Sequence, residues 1–179
     1  MSSKADRRTA ARADRVGRLL DLYGGAGETA LPLARLGWDV TLVEQDARAV
    51  RRAEERVGAE RRSLRCVVSR VEDVIERLLP ADVVIVNPPR TGLSREVAVR
   101  LCACPPLRLV YASCDPATLA RDLRRLGVIG ERLSLVRAYD MFPQTSHVET
   151  LVVADLATRS GTPFSPSPLS TPPPASARS

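Results

Sequence analysis

Cys114 is the residue of this sequence that is best placed to act as a nucleophile. It lies in the segment Tyr111-Ala112-Ser113-Cys114-Asp115-Pro116, at the end of an apolar run that begins at Leu107. A strand that ends in a thiol and is followed at once by a turn and a helix presents that thiol at the rim of a sheet. Cysteine is more often a buried and inert residue, so Cys114 alone does not establish catalysis. Two further segments strengthen the case: a glycine turn that follows Asp21, and the sequence Asn87-Pro88-Pro89-Arg90.

The glycine turn predicts a site for a cofactor that contains a nucleoside. Gly25-Ala26-Gly27-Glu28-Thr29-Ala30 has the pattern G-x-G-x-x-A and stands between a predicted strand and a predicted helix. Small residues let the backbone approach a ligand closely and let the helix pack on the strand. Glu44 ends the next predicted strand, where a carboxylate can accept hydrogen bonds from both hydroxyls of a ribose. Because a dinucleotide would use the same features, the turn defines the class of cofactor and not its identity.

Asp21, at the end of the first predicted strand, favours S-adenosylmethionine over a dinucleotide. A carboxylate at this position would be unfavourable beside a pyrophosphate, since both groups are negatively charged. The same carboxylate suits the ammonium group of a methionine moiety. We therefore expect S-adenosylmethionine as the cofactor, with a dinucleotide-dependent oxidoreductase as an alternative that rests on the glycine turn alone.

The elements that must position these residues alternate regularly between strand and helix. The pattern of apolar residues predicts seven strands, at Val16–Tyr23, Val40–Glu44, Leu64–Val68, Ala81–Val86, Leu107–Ala112, Leu133–Asp140 and Glu149–Leu156. It predicts five helices, at Ala30–Leu36, Asp46–Val57, Val71–Leu79, Ser94–Cys102 and Pro116–Leu126. Alternation of this kind indicates an α/β fold with a mostly parallel, doubly wound sheet. The last two strands have no helix between them, which predicts a C-terminal antiparallel hairpin at one edge.

Length and composition limit the chain to one folded domain. Its 179 residues are 44% hydrophobic, and we place the domain at residues 16–157. Residues 1–15 are charged and alanine-rich and are predicted to form a flexible leader, while the serine- and proline-rich residues 158–179 are predicted to be disordered. No apolar run approaches the length of a membrane span, and no signal sequence is evident, so we expect a cytoplasmic protein without membrane contact.

Charge and cysteine usage indicate the class of partner. The net charge of +6 suits a polyanion, although aromatic residues make up only 3% of the chain, which argues against an RNA-binding surface of stacked rings. The four cysteines form no C-x-x-C pair, and His147 is the only histidine. This spacing predicts no metal site.

Four segments of the sequence resemble the S-adenosylmethionine-dependent RNA 5-methyluridine methyltransferases. They occur in family order and read DLYGGAGETALPLA at 21–34, VIVNPPRTGL at 84–93, YASCDPATLARDL at 111–123 and DMFPQTSHVE at 140–149. The resemblance implies a Rossmann-like class I methyltransferase fold with a terminal hairpin. It also implies methyl transfer to C5 of a uridine in transfer or ribosomal RNA, through a covalent cysteine adduct at C6.

The resemblance further implies roles for individual residues. Cys114 would be the nucleophile and Glu149 the general base. Asn87 would lie between the cofactor and the target base; it stands where the family commonly has aspartate. The residues that would contact or cradle the cofactor are Asp21, Tyr23, Gly25, Gly27, Glu28, Glu44 and Arg70, with Glu72 as an alternative to Arg70.

The family's N-terminal RNA-binding barrel and intervening domain have no counterpart in this sequence. The resemblance therefore implies a catalytic domain alone, acting as a monomer on RNA. Three readings of this stay open: a fragment of a longer protein, a truncated gene model, and a chain that relies on a separate RNA-binding domain or chain. Two alternatives stay open: a degenerate domain that binds cofactor or RNA without turnover, and a methyltransferase that acts on exocyclic amines, in which Asn-Pro-Pro also recurs.

Overall fold

The computed structural model describes residues 16–57, 63–127, 132–140 and 148–156. Across these ranges the strands are β1 (Arg18–Leu22), β2 (Asp39–Glu44), β3 (Leu64–Val68), β4 (Val83–Val86), β5 (Arg108–Ser113), β6 (Leu133–Tyr139) and β7 (Glu149–Asp155). The helices are α1 (Ala30–Arg35), α2 (Ala47–Arg56), α3 (Val71–Leu78), α4 (Arg95–Ala103) and α5 (Pro116–Arg125). Every predicted element is confirmed, with its ends within two residues. The proposed leader and tail lie outside the described residues.

The strands form one sheet in the order β3-β2-β1-β4-β5-β7-β6. The first five are mutually parallel, and β7 runs antiparallel to both of its neighbours. This arrangement confirms the mostly parallel α/β sheet with a terminal hairpin. The order reverses between β1 and β4, which is where open α/β sheets place their ligands.

The centre of the sheet is buried on both faces, as is typical of parallel strands. All four residues of β4, Val83–Val86, are buried, as expected for a strand covered on both sides. One core contains Leu20 and Leu22 together with apolar residues of α3, α4 and α5. The other contains Leu19 and Val40 with apolar residues of α1 and α2.

Local signals set the ends of the helices. Asp46, Ser94 and Asp115 are N-caps whose side chains accept a hydrogen bond from the first turn of α2, α4 and α5. Gly37 follows α1 with a φ of 89°, the left-handed conformation that ends many helices. These caps fix where each helix starts relative to the carboxyl edge of the sheet.

Candidate active site

The predicted site residues lie along the carboxyl edge of the parallel strands. β1, β2, β4 and β5 all end at this edge, because the strands are parallel and in register. Each end is followed by one of the polar segments identified in the sequence. β7 is antiparallel and so begins at the same edge, with Glu149 as its first residue.

The turn after β1 has the conformation that its glycines predict. Gly25 and Gly27 have φ angles of 54° and 80°, and Tyr23, which is not glycine, has a φ of 61°. Among the described residues, no heavy atom lies within 4 Å of where a Cβ of Gly25 would stand, so the backbone there is open to a ligand. A Cβ on Gly27 would lie 3.1 Å from the Cβ of Ala53, which shows how closely α2 packs on the turn.

Glu44 ties the end of β2 to this turn. Its Oε2 accepts a hydrogen bond of 3.1 Å from the N–H of Gly25, and its Oε1 accepts one of 2.9 Å from the N–H of Asp46. Both oxygens retain lone pairs, since a carboxylate can accept about four hydrogen bonds. The carboxylate is thus held in place beside the glycine turn and can still accept from a ligand.

Asp21 is a buried carboxylate beneath the same turn. The side chain is 1% exposed, and its Oδ2 has no hydrogen-bond partner among the described residues. Burial raises the pKa of Asp21 to about 7, while the backbone N–H of Ala30 acts in the opposite direction. A buried oxygen without a partner is costly, and it indicates a place where a ligand donor would be stabilised.

The predicted contacts Glu28 and Arg70 lie at the surface. Glu28 pairs with Arg56 of α2 at 2.6 Å, and this hydrogen bond lowers the pKa of the Glu28 carboxyl. Arg70 stands at the N-cap of α3 with its guanidinium 3.6 Å from the carboxylate of Glu72. Arg70 lines the cavity at the edge of the sheet together with Glu72, whereas Glu28 is not among its lining residues.

That cavity has a volume of about 280 Å³ and lies where the strand order reverses. Its walls come from the ends of β1 and β2, the start of α3 and the loop after β4, and they comprise Tyr23, Gln45, Arg70, Glu72, Pro89, Thr91, Gly92, Leu93 and Ser94. Burial, followed by the nearby charges of Glu72 and Asp122, raises the pKa of the Tyr23 phenol. A larger cavity of about 680 Å³ lies between α4 and α5 and contains none of the predicted site residues.

Asn87 is the first residue after β4. Its backbone N–H donates to the carbonyl of Leu22 at 3.3 Å, which continues the pairing of β4 with β1. The side chain is exposed, whereas the next residue, Pro88, is buried. Asn87 is therefore anchored through its backbone at the centre of the edge.

The strand register brings Cys114 and Glu149 to the same end of one ladder. Ser113 of β5 pairs with Thr150 of β7 as the last pair of their antiparallel ladder. Cys114 follows Ser113 directly, and Glu149 directly precedes Thr150. Both residues are half-buried. A cysteine and a glutamate from distant parts of the sequence thus each adjoin the last pair of this ladder.

A sequence profile described as tRNA (uracil-5-)-methyltransferase matches residues 46–156, which is more than half of the chain. The chain belongs to this family. The resemblance to the RNA 5-methyluridine methyltransferases is therefore confirmed.

Relatives of this family member include proteins described as RNA methyltransferases. The chain is 44% identical over 143 residues to an uncharacterized RNA methyltransferase of Protochlamydia amoebophila, a match that covers 75% of this chain and 32% of the relative. It is 40% identical over 147 residues to the 23S rRNA (uracil(1939)-C(5))-methyltransferase of Pseudomonas syringae pv. tomato, covering 78% of this chain and 32% of that protein. The chain thus spans about a third of the length of the curated relatives it matches.

A solved structure confirms the Rossmann-like methyltransferase fold. The tRNA (uracil-54, C5)-methyltransferase of Pyrococcus abyssi, in complex with S-adenosyl-L-homocysteine, matches with a TM-score of 0.67 and 31% sequence identity. The match covers 82% of this chain and 36% of that one.

Two residues that contribute to this site, Asp122 and Gln45, were not predicted from the sequence. Asp122 of α5 is buried and binds Tyr111 of β5, and Gln45 lines the cavity. A signal for Asp122 was present: it occupies an apolar-spaced position in α5, between Leu119 and Leu126. A charged residue on the buried stripe of a helix requires partners in the interior.

Neither a metal centre nor a membrane span is found in the parts of the chain that the structure describes. Residues 16–57, 63–127, 132–140 and 148–156 contain no group of three or more histidine, cysteine, aspartate or glutamate side chains that could hold a metal ion. Over the same ranges, no helix has both the length and the apolar character needed to cross a membrane.

Proposed function

We propose that this chain transfers a methyl group from S-adenosylmethionine to C5 of a uridine in RNA, with Cys114 as nucleophile and Glu149 as base. The observation that supports the proposal is the register of β5 with β7, in which Cys114 and Glu149 each adjoin the last pair, Ser113 with Thr150, at the carboxyl edge. Membership of the tRNA (uracil-5-)-methyltransferase family supports the type of reaction.

The residues beneath and beside the glycine turn fit S-adenosylmethionine. The orphaned Oδ2 of Asp21 would receive the ammonium of the methionine moiety, and Glu44, fixed by two backbone N–H groups, would accept from the ribose hydroxyls. The open backbone at Gly25 and the close packing at Gly27 would accommodate the ligand between them. Tyr23 and Arg70 line the neighbouring cavity and would contact its remaining parts, whereas Glu28 would have to leave its ion pair with Arg56 to take part.

The chemistry explains why a thiol and a carboxylate are required. C5 of uracil is a poor nucleophile, and addition of the Cys114 thiolate at C6 makes C5 enolate-like. S-adenosylmethionine, when bound, supplies an electrophilic methyl group for C5. Glu149 then removes the remaining C5 proton, the bond between C6 and sulfur breaks, and the thiolate leaves as the double bond between C5 and C6 is restored. Asn87, at the edge between β1 and β5, would hold the base during these steps.

The substrate is proposed to be RNA of either transfer or ribosomal type. The Pyrococcus relative is named for a tRNA uracil and the Pseudomonas relative for a 23S rRNA uracil, so both types are to be tested. The chain's net charge of +6 supports contact with the phosphate backbone. We expect it to work as a cytoplasmic monomer, together with a separate RNA-binding domain or chain.

Trapping the covalent intermediate tests the proposed mechanism. The wild type, Cys114→Ala and Glu149→Gln would be incubated with S-adenosylmethionine and uridine-containing tRNA or rRNA, with an RNA-binding part supplied in trans where it is needed. Denaturing gels should show a protein–RNA band that accumulates in Glu149→Gln and is missing in Cys114→Ala. Cys102→Ala is the matched control, because Cys102 is an exposed thiol on α4 away from the edge.

Two outcomes would contradict the proposal. Methylation by Cys114→Ala at the wild-type rate would exclude the covalent mechanism and would favour a site that methylates an exocyclic amine. Cofactor binding by the wild type without any methylation, on both types of RNA, would indicate a domain that has kept its pocket and lost turnover.

A further inference from the structure

Asp122 has no part in the cofactor site or in the catalytic pair, yet it is the centre of a buried hydrogen-bond cluster. The side chain is fully buried in α5. Its Oδ2 accepts from the backbone N–H of Leu93 at 2.7 Å and from the hydroxyl of Tyr111 at 2.8 Å. Its Oδ1 accepts from Arg121 Nε at 3.0 Å and from Arg125 Nη1 at 3.4 Å. Four donors thus satisfy one buried carboxylate.

On one side this cluster holds the loop that follows β4. Leu93 belongs to the loop that begins at Asn87, and Arg121 also donates to the carbonyl of Thr91 at 2.6 Å. Gly92 lies between these two contacts with a φ of 75°, and a methyl group there would overlap Asp122 Oδ2 and Thr118 Cγ2. The loop therefore rests directly on α5, and its residues Gly92 and Leu93 form part of the cavity wall.

On the other side the cluster holds the unit that carries the thiol. Tyr111 lies in β5, three residues before Cys114, and α5 begins two residues after Cys114. Burial, followed by the hydrogen bond to Asp122, raises the pKa of the Tyr111 phenol, which therefore stays a donor to Asp122. One carboxylate thus joins the loop of Asn87 to the strand and helix on either side of Cys114.

We propose that Asp122 is a positioning residue that sets the loop of Asn87 in place relative to the thiol of Cys114. The inference rests on the proposed function, because it assumes that Asn87, in the loop after β4, and Cys114, in the turn after β5, act in the same reaction. A buried ion is no better for stability than a well-packed apolar side chain, so packing alone does not explain a carboxylate here. An acceptor is required at this point because the N–H of Leu93 and the hydroxyl of Tyr111 both converge on it.

Steady-state kinetics separates positioning from cofactor binding. Asp122→Ala should lower kcat for uridine methylation by about 100-fold, the loss expected from a displacement of about 1 Å at a reacting centre. The dissociation constant for S-adenosylhomocysteine should rise by less than about tenfold, well below the fall in kcat, because Asp21 and Glu44 lie on other elements and Gly92 and Leu93 form only part of the cavity wall. Asp122→Asn should recover part of the rate, since its amide oxygen can accept from both Leu93 and Tyr111 while its NH2 group cannot accept from Arg121 and Arg125.

A second pair of variants keeps the test decisive if Asp122→Ala does not fold. Arg121→Ala removes the contact with Thr91 and should lower kcat by about tenfold, whereas Arg124→Ala, an exposed arginine on the same helix, should leave it unchanged. Equal rates for the two variants would overturn the proposal. So would an Asp122→Asn enzyme as impaired as Asp122→Ala, or a fall in cofactor affinity as large as the fall in kcat.

Amide hydrogen exchange tests the positioning without turnover. In Arg121→Ala and in Asp122→Ala, exchange at Gly92 and Leu93 should accelerate at least about tenfold more than exchange at Val84–Val86 in the sheet. Uniform acceleration would show that Asp122 only stabilises the fold. If the wild type methylates no RNA, the proposed function fails, and the exchange pattern still decides whether Asp122 holds the loop.

Discussion

Replacing Asp21 with asparagine should make the ligand-free protein more stable and its cofactor binding weaker. The carboxylate is 1% exposed, with an oxygen that has no partner among the described residues, and burial raises its pKa from 3.8 to about 7. At about 1.4 kcal/mol for each pKa unit, this difference means that ionised Asp21 costs the native state about 4 kcal/mol. Asparagine has the same shape and no charge to bury.

The direction of the pH dependence follows from the two pKa values. Between pH 3.8 and about 7 the native state binds more protons at Asp21 than the unfolded chain does. Protonation of Asp21 therefore makes its full contribution to the free energy of unfolding below pH 3.8. This contribution decreases as the pH rises and is lost above pH about 7. The free energy of unfolding of Asp21→Asn, minus that of the wild type, should thus increase by about 3 kcal/mol from pH 5 to pH 9.

Urea unfolding of both proteins at unit pH intervals measures this difference. Asp39→Asn is the control, since Asp39 is an exposed carboxyl at the start of β2. Calorimetry with S-adenosylhomocysteine should show the opposite trend for binding. The affinity of the wild type should increase as the pH rises through about 7, whereas Asp21→Asn should bind weakly at every pH. A stability difference that stays constant from pH 5 to pH 9 would refute the reasoning.

Three further predictions concern the pocket, the loop and the RNA. Glu44→Ala should weaken S-adenosylhomocysteine binding by roughly 1–3 kcal/mol in calorimetry, since a charged acceptor is lost; tighter binding of a nicotinamide dinucleotide by the wild type would contradict the cofactor assignment. Gly92→Ala should destabilise the fold by at least about 2 kcal/mol more than Gly127→Ala in urea unfolding, because both have a positive φ but only Gly92 faces Asp122. RNA binding by this chain alone should decrease steeply with salt and show little sequence preference in titrations; sequence-specific binding that tolerates salt would contradict a mainly electrostatic contact with the phosphate backbone.

The fold was largely predictable because its signals are local. The uninterrupted run Val83–Val86 predicts a strand buried on both faces, and Asp46, Ser94 and Asp115 mark helix starts. The predicted hairpin is confirmed, but the sequence did not tell which of its strands joins β5. That choice depends on how Val152 and Ala154 pack in the core, which is a contact between distant residues.

The candidate site was predictable from its motifs and not from its geometry. Cys114, Asn87 and Glu44 stand at strand ends where the pattern placed them. Asp122 was missed because a charged residue in an amphipathic helix usually faces solvent, and only tertiary donors make its burial favourable. The positive φ of Tyr23 was missed for a similar reason, since this conformation is imposed by the turn around it and not by the residue type.

The insertion of β7 between β5 and β6 has a consequence for how the protein is made. Cys114 and Glu149 each adjoin the pairing of Ser113 with Thr150, a contact between residues far apart in the chain. During synthesis β5 and the other parallel strands emerge first. β6 then emerges before β7, although β7 must pair between β5 and β6. Long-range pairings of this kind form late in folding, because the intervening chain loses entropy before the contact is gained. A nascent chain would therefore carry the proposed nucleophile without the proposed base until β7 docks, and the proposed chemistry would begin only on a finished sheet.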